Sequence, residues 1–253
     1  MYYRKHLDNL IAEMQKIAIE ELQNDTLNDA LFSKGVSLLS KQMQRMLERL
    51  ESLDITSIAQ RMSRNFISKL NQSNERSLKS NLANQVSVDL KGQIHNEGIG
   101  RALDVKIAEN VALIKSIKNE YIEKVGSVVR QNVMEGQRST NLITQIKEQG
   151  NVSKSRAKFI ARDQTAKLNA DLTQLRSDAL GAKTYIWSGA MDERERTDHK
   201  AMEGKLCKWD DATVYSDDDG KTWKKRKSIG GVELHPGKDY NCRCVSLSQI
   251  SWS

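Results

Sequence analysis

Two cysteines and two histidines in the last part of the chain have the residue types of a zinc site. Cys242 and Cys244 are two positions apart, so on a β-strand both thiols would point to the same face. His235 lies seven residues before the first cysteine, and His199 lies on a nearby predicted helix. Two thiolates and two imidazoles complete the tetrahedral shell of structural zinc. The sequence therefore predicts a Cys2His2 zinc site, in which Cys207 could replace one histidine.

The same residues are also compatible with a site that binds no metal. Reduced cysteines often pack as small apolar side chains, and the spacing here is not that of a standard zinc finger. A disulfide between Cys242 and Cys244 is disfavoured, because the Cβ atoms of same-face neighbours on a strand are too far apart. An odd number of cysteines, three, also disfavours a secreted disulfide framework.

A run of basic residues supplies candidate contacts to nucleic acid, namely Lys224, Lys225, Arg226 and Lys227. The run follows a predicted hairpin, because residues 216–223 fit the Asp-box pattern S-x-D-x-G-x-T-W. In that pattern Asp219-Gly220 supplies positive φ at the turn, and the Asp218 carboxylate accepts N–H bonds of the turn. A solvent-exposed strand end is the alternative interpretation of the basic run.

Charge and composition limit the classes of protein. The net charge of +7 is concentrated in residues 101–200, which hold 18 basic and 13 acidic side chains. This excess predicts weak, sequence-independent and salt-dependent DNA binding, although many basic proteins bind no anion. No stretch approaches the ~18–20 apolar residues of a membrane span, and the amphipathic N-terminus does not resemble a signal peptide.

Apolar residues recur at helical spacing through the first 180 residues, and the single proline of the chain suits long helices. The N-terminal stripes are Leu7, Leu10, Met14 and Ile17; Val36, Leu39, Met43, Met46, Leu50 and Leu53; Ile58, Met62, Phe66 and Leu70; and Leu78, Leu82 and Val86. Glycines at 92, 98 and 100 predict a loop over residues 92–101. Three further helices are predicted from Asn110 to Gly136, from Ser139 or Thr140 to Gly150, and from Ser153 to Gly181.

The last 73 residues differ in composition, since they hold seven of the 13 aromatic residues, the only proline and all the cysteines. Residues 184–187 are rich in aromatic and β-branched side chains, which predicts a strand. A helix is predicted over residues 192–203, with Asp192 as its cap and Gly204 after its end. The predicted fold class is α+β: a long N-terminal helical region followed by a small, hairpin-rich α+β module over residues 181–253.

Several short motifs occur in a distinctive order. In chain order they are Arg162-Asp163-Gln164-Thr165, Trp187, Asp192-x-Arg194-x-Arg196-Thr197-x-His199-x-x-Met202-x-Gly204, His235-Pro236 and Asn241-Cys242-Arg243-Cys244. Over about residues 110–247 this order resembles the Mu F-like head morphogenesis family, the minor head proteins of tailed bacteriophages. Two positions depart from the family pattern: Arg-Asp-Gln-Thr replaces Arg-Thr-Glu-Thr, and Arg196 stands where some relatives carry a cysteine.

The resemblance implies a virion component, made in the host cytoplasm and located inside the capsid near the portal vertex. It implies a role in head assembly, DNA packaging or DNA ejection, with no catalytic residues. The implied partners are the portal protein or the major capsid protein, and viral DNA bound non-specifically. Residues 110–253 then form the family domain, with helices over 110–180. Residues 1–109, which lack family motifs, are interpreted as a helical arm for docking or homo-oligomerisation.

One set of polar residues is interpreted as a network that clamps a helix to the C-terminal module. Its members are Arg162, Asp163, Thr165, Asp192, Arg194 and Arg196. We expect Arg162 and Asp163 to pair with Asp192 and with Arg194 or Arg196. Contact with DNA is the alternative role of these residues.

Two enzymatic readings compete with the structural one. In a nucleic-acid-processing enzyme, His199 would act as base and Arg196 as a phosphate clamp, with His235 beside them. The sequence has no recognised nuclease signature. A toxin-type enzyme such as an ADP-ribosyltransferase can be fused to related head proteins, but residues 245–253 are too few for such a domain. The structural role is therefore preferred.

Overall fold

The protein is mainly helical in a computed structural model that describes residues 2–23, 32–83, 97–135 and 139–250. Within these ranges five long helices account for most of the chain: α1 (Tyr2–Gln23), α2 (Phe32–Ser52), α3 (Ile55–Leu82), α4 (Glu97–Glu135) and α5 (Ser139–Ala179). A four-residue helix, α6 (Thr197–Lys200), and a 3-10 turn (Arg226–Ile229) follow in the C-terminal region. None of the described helices is long and apolar enough to cross a membrane.

One compact unit, Met1–Phe66 with Ile107–Ala161, is helical throughout its described part. Its core is built largely from the predicted apolar stripes, although Ile17, Met43, Leu53 and Ile58 are only half-buried. The buried members include Leu7, Leu10, Met14, Met46, Leu50, Ile114, Ile117, Tyr121, Val125 and Val129. Val36, Leu39 and Val86 lie outside the residues whose side chains are described. The periodicity predicted this core because 3-4 spacing places side chains on one helix face.

Two helix boundaries in and near this unit differ from the predicted ones. Helix α4 begins at Glu97 and not at Asn110, so the predicted loop over 92–101 is wrong for its last residues. Asn110 lies inside the helix, where its buried side chain accepts a hydrogen bond from the Tyr3 hydroxyl at 2.9 Å. The side-chain oxygen of Asn110 is thus used in a tertiary hydrogen bond, and the residue does not act as a helix cap.

Helix α5 is continuous through Gly150, where the sequence predicted a helix end. A Cβ atom at this position would lie 2.8 Å from the side-chain amide of Gln15 on α1. The glycine therefore leaves room for the Gln15 side chain, which donates to the Lys147 carbonyl oxygen at 3.3 Å, and it does not end the helix. Gly181, in contrast, has a φ of +72° directly after α5, as expected for a helix stop.

The second compact unit, Ile67–Lys106 with Arg162–Ser253, contains a five-stranded antiparallel sheet. Its strands are β1 (Thr184–Ser188), β2 (Leu206–Lys208), β3 (Val214–Ser216), β4 (Lys224–Lys225) and β5 (Val245–Gln249), in the spatial order β4-β3-β2-β1-β5. Helical and sheet regions are thus segregated along the chain, which confirms the α+β class. The functional division into an arm over 1–109 and a domain over 110–253 stays a prediction.

The hairpin between β3 and β4 follows the Asp-box prediction. The Asp218 carboxylate accepts hydrogen bonds from the Thr222 backbone N–H at 2.9 Å and from the Thr222 hydroxyl at 2.6 Å. It also accepts one from the Ser216 hydroxyl at 2.7 Å. These bonds hold the pKa of Asp218 well below its usual range. Asp219 and Gly220 both have positive φ, so local turn chemistry alone fixes this element.

Candidate metal centre and an arginine-lined cleft

Three buried side chains bring metal-binding atoms together in the C-terminal module. The Nδ1 atom of His199 lies 3.4 Å from the Cys244 Sγ and 3.5 Å from the Cys242 Sγ. One ligand atom of each residue lies within 4.8 Å of the others, and among the described residues this is the one group of its kind. An imidazole and two thiols at these separations could hold a metal ion.

Each ligand is positioned by a short local element. Helix α6 carries His199, whose side chain is almost fully buried. Cys242 and Cys244 precede β5, which begins at Val245, so the prediction that both lie on a strand is wrong. Their thiols nevertheless point to one place, because the chain turns sharply at Asn241, with a φ of +53°.

Backbone N–H groups surround the sulfur of Cys242. The Gly237 and Cys244 N–H groups both donate to it at 3.4 Å. Gly237 is required at its position, since its φ is +80° and an added Cβ would lie 2.9 Å from the Ala166 carbonyl oxygen. N–H donors favour the anionic form of a sulfur, which is the form that binds metal.

The pKa values of His199, Cys242 and Cys244 are shifted in different directions by their mutual contacts. Hydrogen bonds from Cys244, from His199 and from the backbone lower the pKa of the Cys242 thiol. The same contact with Cys242, together with burial, raises the pKa of the Cys244 thiol. The hydrogen bond to Cys242 also raises the pKa of His199. A metal ion that bound here would displace the protons of Cys244 and His199, so its affinity would increase with pH.

A carboxylate orients the histidine from behind. The Nε2 atom of His199 lies 3.0 Å from Oδ2 of Asp239, which leaves Nδ1 facing the sulfurs. Arg196 donates to the same carboxylate oxygen at 2.7 Å and to the Tyr240 carbonyl oxygen at 2.6 Å. Carboxylates in this position fix the tautomer and the ring orientation of metal-binding histidines. Sequence reasoning missed Asp239; its one signal was an acidic residue three positions before Cys242.

His235 and Cys207 do not join this group, so the predicted four-residue convergence is wrong. His235 Nδ1 lies 2.9 Å from the Tyr185 hydroxyl, and its ring lies beside Trp209. Burial, with the positive charges of Arg226 and Lys238, lowers the pKa of His235 to about 4.

Cys207 is held on β2, in register with Tyr185 of β1. Its thiol donates to the Lys205 carbonyl oxygen at 3.6 Å, and burial raises its pKa. Cys207 packs in the same buried apolar cluster as Cys242 and Cys244, but neither it nor His235 joins the candidate metal group.

The predicted polar network forms with different partners. The Asp163 carboxylate pairs with Lys167 at 2.7 Å and accepts a hydrogen bond from the Asn241 N–H at 2.9 Å. This second bond does link α5 to the loop before Cys242. The expected pairing with Asp192, Arg194 or Arg196 is wrong.

Asp192 is bonded instead to both terminal nitrogens of Arg243. The bidentate pair, together with the Arg194 N–H bond, lowers the pKa of Asp192 to about 2. Because the Asp192 carboxylate accepts from the Arg194 N–H, residues 192–196 form a turn, and α6 covers only Thr197–Lys200. The predicted longer helix is therefore wrong. Thr165 lies half-buried on α5.

A cleft of about 170 Å³ opens beside the three candidate ligands. Four guanidinium groups line it, those of Arg162, Arg194, Arg196 and Arg243. Glu195 also lines it; its carboxylate accepts from the Ala190 and Met191 N–H groups, and its Oε1 lies 3.5 Å from the Cys244 Sγ. The cleft thus combines a candidate metal site with a cationic wall.

The basic run on the hairpin divides into exposed and buried members. Lys224, Lys225 and Lys227 are exposed. Arg226 is fully buried and donates to the carbonyl oxygens of Val214, Val232 and Leu234 and to the Tyr185 hydroxyl. The prediction that Arg226 contacts DNA is therefore wrong, because its guanidinium is fully enclosed by the module.

Comparisons with known proteins agree with the motif order. Residues 123–247 match the family described as Phage Mu protein F like protein. A Haemophilus influenzae protein described as uncharacterized is 34% identical over 253 residues, which is 98% of this chain and 52% of the relative. The minor head protein GP7 of Bacillus phage SPP1 is 24% identical over 141 residues, 52% of this chain and 42% of that protein. No solved structure matches significantly.

The fold and the site define a small α+β module, closed by a Cys-Arg-Cys loop, that follows a helical region. Its residues 123–247 match the Mu F-like family, which confirms the resemblance inferred from the motifs. The chain spans about half the length of the curated relatives that it matches.

Proposed function

We propose that this protein is a minor head protein that acts in phage head morphogenesis. The match of residues 123–247 to the Mu F-like family carries this proposal. The similarity to a protein named as a minor head protein supports it. The proposed location is the capsid interior near the portal vertex, in head assembly, DNA packaging or DNA ejection. The proposed partners are the portal protein or the major capsid protein, which the arm over 1–109 would contact, and viral DNA.

Quantitative mass spectrometry of purified virions and proheads tests this proposal. We expect the protein in one or both particles at few copies relative to the major capsid protein. Absence of the full-length protein from both particles would contradict a role as a head component.

The second part of the proposal is that His199, Cys242 and Cys244 bind zinc as a structural centre. With ligand bonds of ~2.3 Å to sulfur and ~2.05 Å to nitrogen, tetrahedral zinc separates its nitrogen and sulfur ligands by about 3.6 Å. The observed separations of 3.4 and 3.5 Å are close to this value before any adjustment. The carboxylate of Asp239 supplies the expected support behind the histidine. Glu195 or a water molecule would complete the shell.

Elemental analysis of the purified full chain tests the zinc proposal. We expect about one zinc per chain, since the structure offers one such group among its described residues. Cys242→Ser should remove the metal, whereas Cys207→Ser should retain it because Cys207 is not one of the three candidate ligands. A metal-free wild-type protein, or equal loss from both variants, would contradict the assignment.

No catalytic residue is proposed. The family match and the similarity to a minor head protein favour a structural role over the nuclease and toxin readings. In the structure, His235 hydrogen-bonds Tyr185, and Arg196 is engaged by Asp239. The cluster of His199, Arg196 and His235 invoked for catalysis is therefore divided between two sites.

A further inference from the structure

We propose that the arginine-lined cleft binds one phosphate group of a DNA backbone through Arg162 and Arg194. This inference rests on the proposed contact with viral DNA and adds to it a specific site.

Two of the four arginines are neutralised by carboxylates. Arg243 is bonded through both terminal nitrogens to Asp192, and Arg196 is paired with Asp239 at 2.7 Å. These pairs shape the cleft, because they join residues more than 40 positions apart in the chain. Their charges are largely satisfied within the protein.

The other two arginines are available to a ligand. The side chain of Arg162, which is exposed on α5, makes no hydrogen bond or ion pair with any residue that the structure describes. The Arg194 side chain is 73% exposed, and Asp192, the acidic residue that it pairs with among the described residues, is 3.8 Å away and already bonded to Arg243. Glu195, the acidic residue of the cleft wall, is bonded to backbone N–H groups. Of the four arginines that line the cleft, Arg162 and Arg194 are therefore the least engaged by carboxylates.

The size of the cleft selects a small anion. Pockets for whole small-molecule ligands measure roughly 300–1,000 Å³, whereas this cleft measures about 170 Å³. A phosphate group fits this space, whereas the rest of a nucleotide would extend beyond it. The planar fork of N–H donors on arginine matches phosphate oxygens in pairs. The chain also carries a net charge of +7, which favours a polyanion over an isolated acidic group.

The test measures binding of the full chain to a short fluorescent DNA duplex over a series of salt concentrations. The cleft variant is Arg162→Gln with Arg194→Gln. The matched control is Lys224→Gln with Lys227→Gln, which removes the same charge from the exposed basic run on the hairpin. Melting curves and zinc content are recorded for every protein. Both variants should fold, because the substituted side chains make few internal contacts.

We expect the cleft variant to bind DNA about tenfold more weakly at low salt, as befits the loss of charged hydrogen bonds. The slope of log affinity against log salt should fall by about 0.9, the value for one phosphate contact on duplex DNA. The control should change affinity less than the cleft variant does. Unchanged zinc content in the cleft variant would assign the loss to the cleft and not to the metal centre.

Three outcomes would overturn the inference, and they distinguish its causes. Equal losses in the two variants would mean that only overall charge matters. Binding of inorganic phosphate is measured in parallel by titration calorimetry, and its loss in the cleft variant with unchanged DNA affinity would assign the cleft to a free anion. If the wild-type protein binds no DNA at low salt, the proposed DNA contact fails together with the cleft, whereas the virion and zinc proposals stand on their own tests.

Discussion

Each of the two compact units has a core made of a different kind of buried side chain. In the helical unit the large, fully buried side chains are mostly aliphatic, such as Leu7, Ile11 and Leu50. In the unit with the sheet, fully buried groups include Trp187 and the guanidinium of Arg226, and His199 is almost as buried. Apolar burial is non-directional, whereas each buried polar group needs a specific partner. The second unit should therefore be the more sensitive to metal, to pH and to single polar substitutions.

Metal removal should give the largest difference between the two units. If zinc binds as proposed, a chelator should strongly destabilise residues 184–247, because metal binding is coupled to folding. Hydrogen exchange measured by mass spectrometry should show lost protection there and retained protection in helices α1 and α2. Cys207→Ser serves as the control that keeps the metal. Equal loss of protection in both units would contradict the expectation that only the unit with the sheet depends on metal.

Truncation of the aliphatic core should affect the helical unit without involving the metal. Leu50 is fully buried, so Leu50→Ala should lower the free energy of unfolding by about 2–5 kcal/mol. Urea denaturation measures this loss. Leu53→Ala, at a half-buried position on the same stripe, should cost less. Zinc content should not change in either variant; a loss of zinc in Leu50→Ala would contradict the separation of the two cores.

Acidification should destabilise the module through His235. Its pKa is about 4 in the folded protein and about 6.5 when unfolded, so the unfolded chain takes up the proton first. Stability from this group is therefore present above pH 6.5 and is lost as the pH falls towards 4, by at most about 1.4 kcal/mol per pH unit.

Unfolding curves of the zinc-loaded protein between pH 7 and pH 4 measure this dependence, and His235→Gln is the comparison. The substitution should reduce the slope of the free energy of unfolding against pH, and the part of the slope that comes from carboxylates should remain. Identical slopes for the wild type and the variant would show that the neutral state of His235 does not matter to folding.

The smallest effect on stability is expected from substitution of Asp239, the carboxylate that supports His199. Asp239→Asn keeps the shape of the side chain but weakens its support of His199, so zinc affinity should fall by about 10–100-fold. Competition with a chromogenic chelator measures the affinity. Asp211→Asn, a carboxylate that bonds Thr213 outside the site, is the matched control. Unchanged zinc affinity in Asp239→Asn would show that the three ligands determine the affinity without support from Asp239.

The candidate site could be predicted only in part. The residue types of His199, Cys242 and Cys244 pointed to a metal, and these three do converge. The fourth ligand was misplaced because His235 pairs with Tyr185, a residue 50 positions away that no local pattern identifies. The strand assumed for the cysteines was also wrong, yet a turn at Asn241 brought the thiols together.

The sequence by itself determined the features that depend on neighbours along the chain. Helical stripes, the Asp-box hairpin and the stop at Gly181 follow from interactions among residues a few positions apart. The tertiary structure decided the rest: the burial of Arg226, the continuity of α5 through Gly150, and the partners of Asp192 and Asp239. These depend on contacts between distant segments, where burial and unmet hydrogen bonds outweigh local preference.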